Sequence, residues 1–175
     1  LYTTQPEVDP RFGQVALPWQ ALLNGDPLPV LRGAVDNIGM FFWRGDLESH
    51  YNFPGRPVFG PVSALLFLAG ILIAIKRWKE PVFAFSLLWL AVGMAPGVFT
   101  VPAPSFVHTI SAQGVVYVFP GIAVQAAYVR LSKAGKERAA GMLAAFVGVL
   151  ILANGAWTFV DYFRRWGQLE EVRGF

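Results

Sequence analysis

Cysteine is absent from the 175 residues, which excludes disulfides and thiolate metal centres. Charge is scarce too: 14% of residues carry one, against roughly a quarter in a soluble domain. The deficit is uneven, because residues 58–129 hold only Lys76, Arg77, Lys79 and Glu80 as charges, all in one cluster. No glycine-rich phosphate loop followed by Lys, no nucleophile elbow around a central Ser and no helical His pair occurs. The apolar stretches carry none of the ionisable residues that mark an ion or proton path, which argues against a pump or carrier. A net charge of +3 raises the question of a nucleic-acid partner. The basic residues lie in short clusters between apolar runs rather than on one continuous face, so membrane topology accounts for them and nucleic acid does not.

What remains is apolar and aromatic, with 55% hydrophobic residues and a mean hydropathy of +0.48. This composition predicts an all-α, multi-spanning helical membrane protein. Four spans are expected, over residues 58–75, 81–101, 113–131 and 139–160, within a membrane region of 58–166 and ahead of a tail at 167–175. Pro96 should bend or end the second span, and Pro120 and Gln125 interrupt the third. The fourth contains Ala140, Gly141, Ala144, Ala145 and Gly148, small residues that admit a neighbouring helix closely. Residues 1–24 are broken by Pro6, Pro10, Gly13 and Pro18, with a helical turn at most over 19–23.

Asp26-Pro27-Leu28-Pro29 reads as a helix start. From there Leu31, Ala34, Val35, Ile38, Phe41 and Phe42 recur at helical spacing, with Arg32, Asp36 and Asn37 on the other side. Residues 28–44 therefore form an amphipathic helix, placed in the headgroup plane by Phe41, Phe42 and Trp43 or packed on other protein. Four spans put Lys76, Arg77 and Lys79 on the same side as Arg130, Lys133, Lys136 and Arg138, which the positive-inside rule makes the cytoplasm. Residues 1–57, the 101–113 loop and the C-terminus then lie on the extracytoplasmic side of the cytoplasmic membrane.

The outward loop 45–57 and its approach hold most of the side-chain chemistry: Arg44, Asp46, Glu48, His50, Tyr51, Asn52 and Arg56, confined by Pro54 and Pro57. Arg44 and Arg56 suit an anion, while Asp46 and Glu48 could orient His50. A single loop His with two carboxylates lacks the rigid spacing of a metal site, and the bland alternative is a solvated surface His. His108, between the second and third spans, either caps a helix or meets a phosphate headgroup. The lipid-phosphate or substrate-binding candidates are thus Arg44, Asp46, His50, Asn52, Arg56 and His108.

Gly45-Asp46, then His50-Tyr51-Asn52-Phe53-Pro54-Gly55-Arg56-Pro57, and again Ala103-Pro104-Ser105-Phe106-Val107-His108-Thr109, resemble the bacterial GT-C fold membrane glycosyltransferases. These are similar to the dolichyl-phosphate-mannose protein mannosyltransferases of glycosyltransferase family 39. The likeness runs over residues 30–162 and corresponds to the C-terminal half of such a protein, in keeping with a first residue, Leu1, that is not Met. It implies a polyprenyl-phosphate-linked sugar donor used at the outer face of the membrane, and no cofactor. The family's catalytic carboxylate comes from an earlier outward loop to which nothing here corresponds, so no catalytic residue is assigned. His108 stands where the resemblance leads one to expect Arg, a stronger phosphate partner at neutral pH. The alternative is a non-catalytic accessory or scaffold subunit of a larger membrane complex, energy-transducing complexes included. In either case membrane lipids are partners.

Overall fold

Prolines set where the helices begin. In the computed structural model, which describes residues 16–173, the helices Leu17–Leu23 (α1), Leu28–Gly39 (α2), Pro61–Lys76 (α3) and Pro81–Phe99 (α4) each carry Pro at the first or second position. A first-turn amide has no intrahelical partner, so its loss to Pro is harmless there. After a 3-10 turn at Ile110–Ala112 come Gln113–Val116 (α5), Val118–Lys133 (α6), Glu137–Val160 (α7) and, past a π-helical turn at Asp161–Arg165 and a 3-10 turn at Trp166–Gln168, Glu170–Arg173 (α8). The described residues contain no strand, and their regular structure is all helical. Of the residues expected to break 1–24, Pro6, Pro10 and Gly13 lie outside the described residues, and Pro18 stands in the first turn of α1 without breaking it.

Among the described residues three stretches are long and apolar enough to cross a membrane: Pro81–Phe99, Ile110–Lys133 and Glu137–Gln168. The first expected span is shorter than residues 58–75. Gly60 is extended (φ −69°, ψ 166°) and Pro61 opens the helix, leaving 16 residues, or about 24 Å of rise at 1.5 Å per residue. Pro96 does not end α4, which runs on to Phe99. The carbonyls at that end are met from outside the helix: the Thr100 hydroxyl donates to Pro96 O at 2.6 Å and the Asn37 amide to Gly97 O at 2.8 Å. Pro120 is likewise absorbed, because Tyr117 breaks the third span and puts Pro120 in the first turn of α6.

The core lies where α3 crosses α6. Phe67 is packed by Phe41 at 4.9 Å between ring centroids, Phe59 at 5.1 Å and Phe119 at 5.8 Å. Gly70 permits the crossing, since a Cβ there would overlap the Phe119 carbonyl. Phe41 is therefore buried in protein, while Trp43, two residues on, is 65% exposed. α2 packs on protein through its small and polar side. Its packed side is Gly33, Asn37 and Gly39, and Leu31, Val35 and Ile38 face outward. Gly33 comes so close to α4 that a Cβ would meet Val98 O at 2.7 Å, an approach that larger apolar side chains would prevent.

The helix order fixes which ends meet. α3 and α6 run in parallel and finish in the basic connectors at residues 77–80 and 134–136, while α4 and α7 return. Residues 40–60, residues 100–112 and the end of α7 are gathered at the other end.

Candidate functional site

Buried polar side chains hold that end together. Asp46, 3% exposed, accepts the Glu48 amide at 2.9 Å on Oδ1 and the Phe106 amide at 2.8 Å on Oδ2, so one carboxylate joins the two polar loops. Its own carbonyl accepts the Gly55 amide at 2.7 Å, and the Gly45 amide returns to Gly55 O at 3.0 Å, which folds residues 45–55 into a closed loop. Asn37, fully buried, donates to Gly33 O and Gly97 O, each at 2.8 Å, and accepts the Ser105 amide at 3.4 Å. The helical period put Asn37 on the polar side of α2, but two of its three bonds, to Gly97 and Ser105, need a protein neighbour.

Asp161 joins the end of α7 to the loop. Arg56 Nη1 reaches Asp161 Oδ2 at 2.8 Å, and Arg165 Nη1 reaches Oδ1 at 3.0 Å. The Asp161 side chain is nearly sealed, whereas both arginines keep part of their surface open. Arg56 Nη2 also donates to Thr158 Oγ1 at 3.2 Å, and Trp166 Nε1 donates to Ser49 O at 2.6 Å. Asp161 was missed in the sequence because it follows a 24-residue apolar helix and reads there as a solvated boundary residue. The available signal was its spacing to Arg165, i to i+4 with the acid first.

Beneath this latch a cleft of about 860 Å³ opens between α3, α6 and α7. Leu66, Val124, Val147 and Leu150 are among its apolar walls, and Arg56, Asn154, Thr158, Asp161 and Arg165 lie at the loop end. A smaller cavity of about 260 Å³, lined in part by Tyr51, Asn52 and Gln113, shares Arg56, Tyr117 and Thr158 with the cleft. Two arginines against one aspartate leave the mouth with one net positive charge, at the end of an apolar channel. That arrangement suits an amphiphile with a long chain and an anionic head.

The six expected residues separate into groups. Arg56 and Asn52 line the cavities around the latch, and Asp46 is a buried brace with both oxygens engaged. His50 Nδ1 meets Glu48 Oε1 at the loop surface. The Glu48 carboxyl lies below the ordinary glutamate value, first because of that side-chain bond and then because of the His50 amide. Arg44 lines a separate cavity with Asp36 and Trp43. His108 Nδ1 lies 2.7 Å from Thr100 Oγ1. One hydroxyl proton cannot serve both Pro96 O and His108, so with Thr100 donating to Pro96 O the imidazole carries its proton on Nδ1. His108 thereby supports the end of α4, away from the cleft lining. Among the described residues no group of three His, Asp or Glu is placed to hold a metal ion. No protein-family model, no curated protein and no solved structure matches this chain.

Proposed function

We propose that this chain is the membrane-embedded, donor-binding part of a glycosyltransferase that uses a polyprenyl-phosphate-linked sugar at the outer face of the cytoplasmic membrane. Four spans are formed by α3, α4, α5 with α6, and α7, and α2 lies in the headgroup plane with Leu31, Val35 and Ile38 towards lipid. The prenyl chain occupies the cleft and its phosphate meets Arg56 and Arg165. The observation that carries this reading is the pairing of an apolar channel of about 860 Å³ with a net cationic mouth. The basic connectors at the opposite end agree with it, since the positive-inside rule sets the mouth on the outer side. No residue of this chain is assigned a catalytic role.

The test is retention of decaprenyl phosphate by the chain in nanodiscs, read by native mass spectrometry against the uncharged prenol. Selective retention of the phosphate, weakened about tenfold by Arg56→Gln, is expected for loss of one charge-assisted contact. Equal retention of phosphate and alcohol, or no effect of the substitution, overturns the reading.

A specific feature favours the accessory-subunit alternative. On α7 only Ala140 is buried, and a Cβ at Gly141, Gly148 or Gly155 would meet nothing within 4 Å. Small residues without a neighbour suit a helix from another subunit. Stoichiometric co-purification with other spanning subunits, together with failure of the prenyl-phosphate assay, would establish it.

A further inference from the structure

The cavity beside Arg44, about 290 Å³, shares no lining residue with the cleft or with the cavity next to it. It lies between α2, residues 43–48 and residues 102–104, and buried bonds hold these walls in place. Asp46 ties residues 46–48 to Phe106, and Asn37, on α2 one position after Asp36, accepts the Ser105 amide. The cavity is therefore preformed.

One guanidinium, Arg44, and three carboxylates, Asp36, Asp46 and Glu48, line it, and no ion pair joins Arg44 to any of the three among the described residues. Arg44 and Asp36 both face the space, and neither makes an ion pair or a side-chain hydrogen bond among the described residues. Glu48, on the same wall, holds its carboxylate against His50. The Trp43 indole lies against Gly39, where a Cβ would come within 2.7 Å, and is stacked with the Phe42 ring at 6.0 Å between centroids, yet 65% of the residue stays exposed. A bare anion would be drawn to Arg44 but repelled by the carboxylates, and a bare cation would leave Arg44 unmatched. An indole face beside carboxylates is a favourable site for an ammonium group, and a guanidinium for a phosphate ester.

We propose that this cavity binds a phosphate ester bearing an ammonium group, with the phosphate at Arg44 and the ammonium between Asp36 and the Trp43 indole. The chemistry is that of a zwitterionic phospholipid headgroup or of its soluble glycerol ester. The site is independent of the prenyl-phosphate cleft.

Two measurements on the full chain test the site and separate the sources. Glycerophosphocholine is titrated calorimetrically into the chain in a maltoside detergent, and retention of phosphatidylcholine over phosphatidylglycerol is measured in nanodiscs by native mass spectrometry. Saturable binding of the soluble ester identifies a free ligand as sufficient, and selective lipid retention alone identifies the membrane as the source. In either case Asp36→Asn, Arg44→Gln and Trp43→Ala are each expected to weaken binding about tenfold, the scale of one lost cation–π or charge-assisted contact. Arg56→Gln should leave it unchanged, so failure of the cleft reading and failure of this one are distinguishable. All three substituted side chains are exposed, and an unchanged thermal midpoint confirms that each variant folds. The proposal is overturned if neither probe binds selectively, if the three variants bind like the parent, or if glycerol phosphate, which lacks the amine, binds as tightly.

Discussion

Asp46 is almost fully buried, yet no cation lies within ion-pair distance of its carboxyl group among the described residues. Backbone amides solvate it in place of water, and a carboxylate can accept two or three such bonds without a counter-ion. The arrangement is costly to break, because truncation leaves the Glu48 and Phe106 amides without acceptors in a closed site. Asp46→Ala should lower stability by about 2–4 kcal/mol, the cost of two unsatisfied buried donors, measured by thermal unfolding in detergent. Asp46→Asn retains one acceptor oxygen and should lie between the two. If Ala and the parent unfold alike, the joint between the loops is not where the geometry puts it. The sequence offered Asp46 as a ligand-binding candidate and could not distinguish a ligand contact from a brace. That difference depends on Phe106, 60 positions away.

At the scale of the element, α7 is held mainly at its ends. Its long exposed flank, with Met142, Phe146, Val149 and Leu152 all outward, has few protein neighbours. The latch of Arg56, Asp161 and Arg165 and the bond from Trp166 to Ser49 fix the far end against the loop. Asp161→Ala leaves two arginines without their acid. Because Arg56 is 27% and Arg165 57% exposed, solvent screens most of that change, and the expected loss is about 1–2 kcal/mol rather than the several of a sealed pair. The effect should be local. Hydrogen exchange of the amides at 161–168 should accelerate while those of α3 and α6 hold, because a segment opens independently where few apolar contacts cross it. Uniform acceleration through α3 would instead make the latch part of the global unfolding unit. The apolar run of α7 was legible in the sequence because length and composition alone specify it. The π-helical turn at Asp161–Arg165 was not, and neither was the contact its Asp161 makes with Arg56, 105 positions away in the chain.

For the whole molecule, the decisive matter is which ends face which side. Residue order required that loops 45–57 and 101–113 share an end, and the bonds of Asp46 and Asn37 bring them into contact there. What the sequence could not supply was the side of α2 that meets protein. Apolar periodicity identifies a face that avoids water, and lipid satisfies that as well as a core does; the helix packs through Gly33 and Asn37 because close approach to α4 needs a missing side chain and a buried donor. An outer location for the loop end predicts a labelling pattern, and the lack of native cysteine makes introduced thiols clean reporters. Tyr51→Cys and Val107→Cys, both at exposed positions, should react with a membrane-impermeant maleimide in intact cells. Trp78→Cys and Ala134→Cys, in the two basic connectors, should react only after permeabilisation. Reversal of all four would keep the bundle but place the cationic mouth in the cytoplasm, removing the outer-face assignment. Opposite behaviour of positions 51 and 107 would be incompatible with the Asp46 joint itself, since two segments linked at 2.8 Å cannot emerge on different sides of a bilayer.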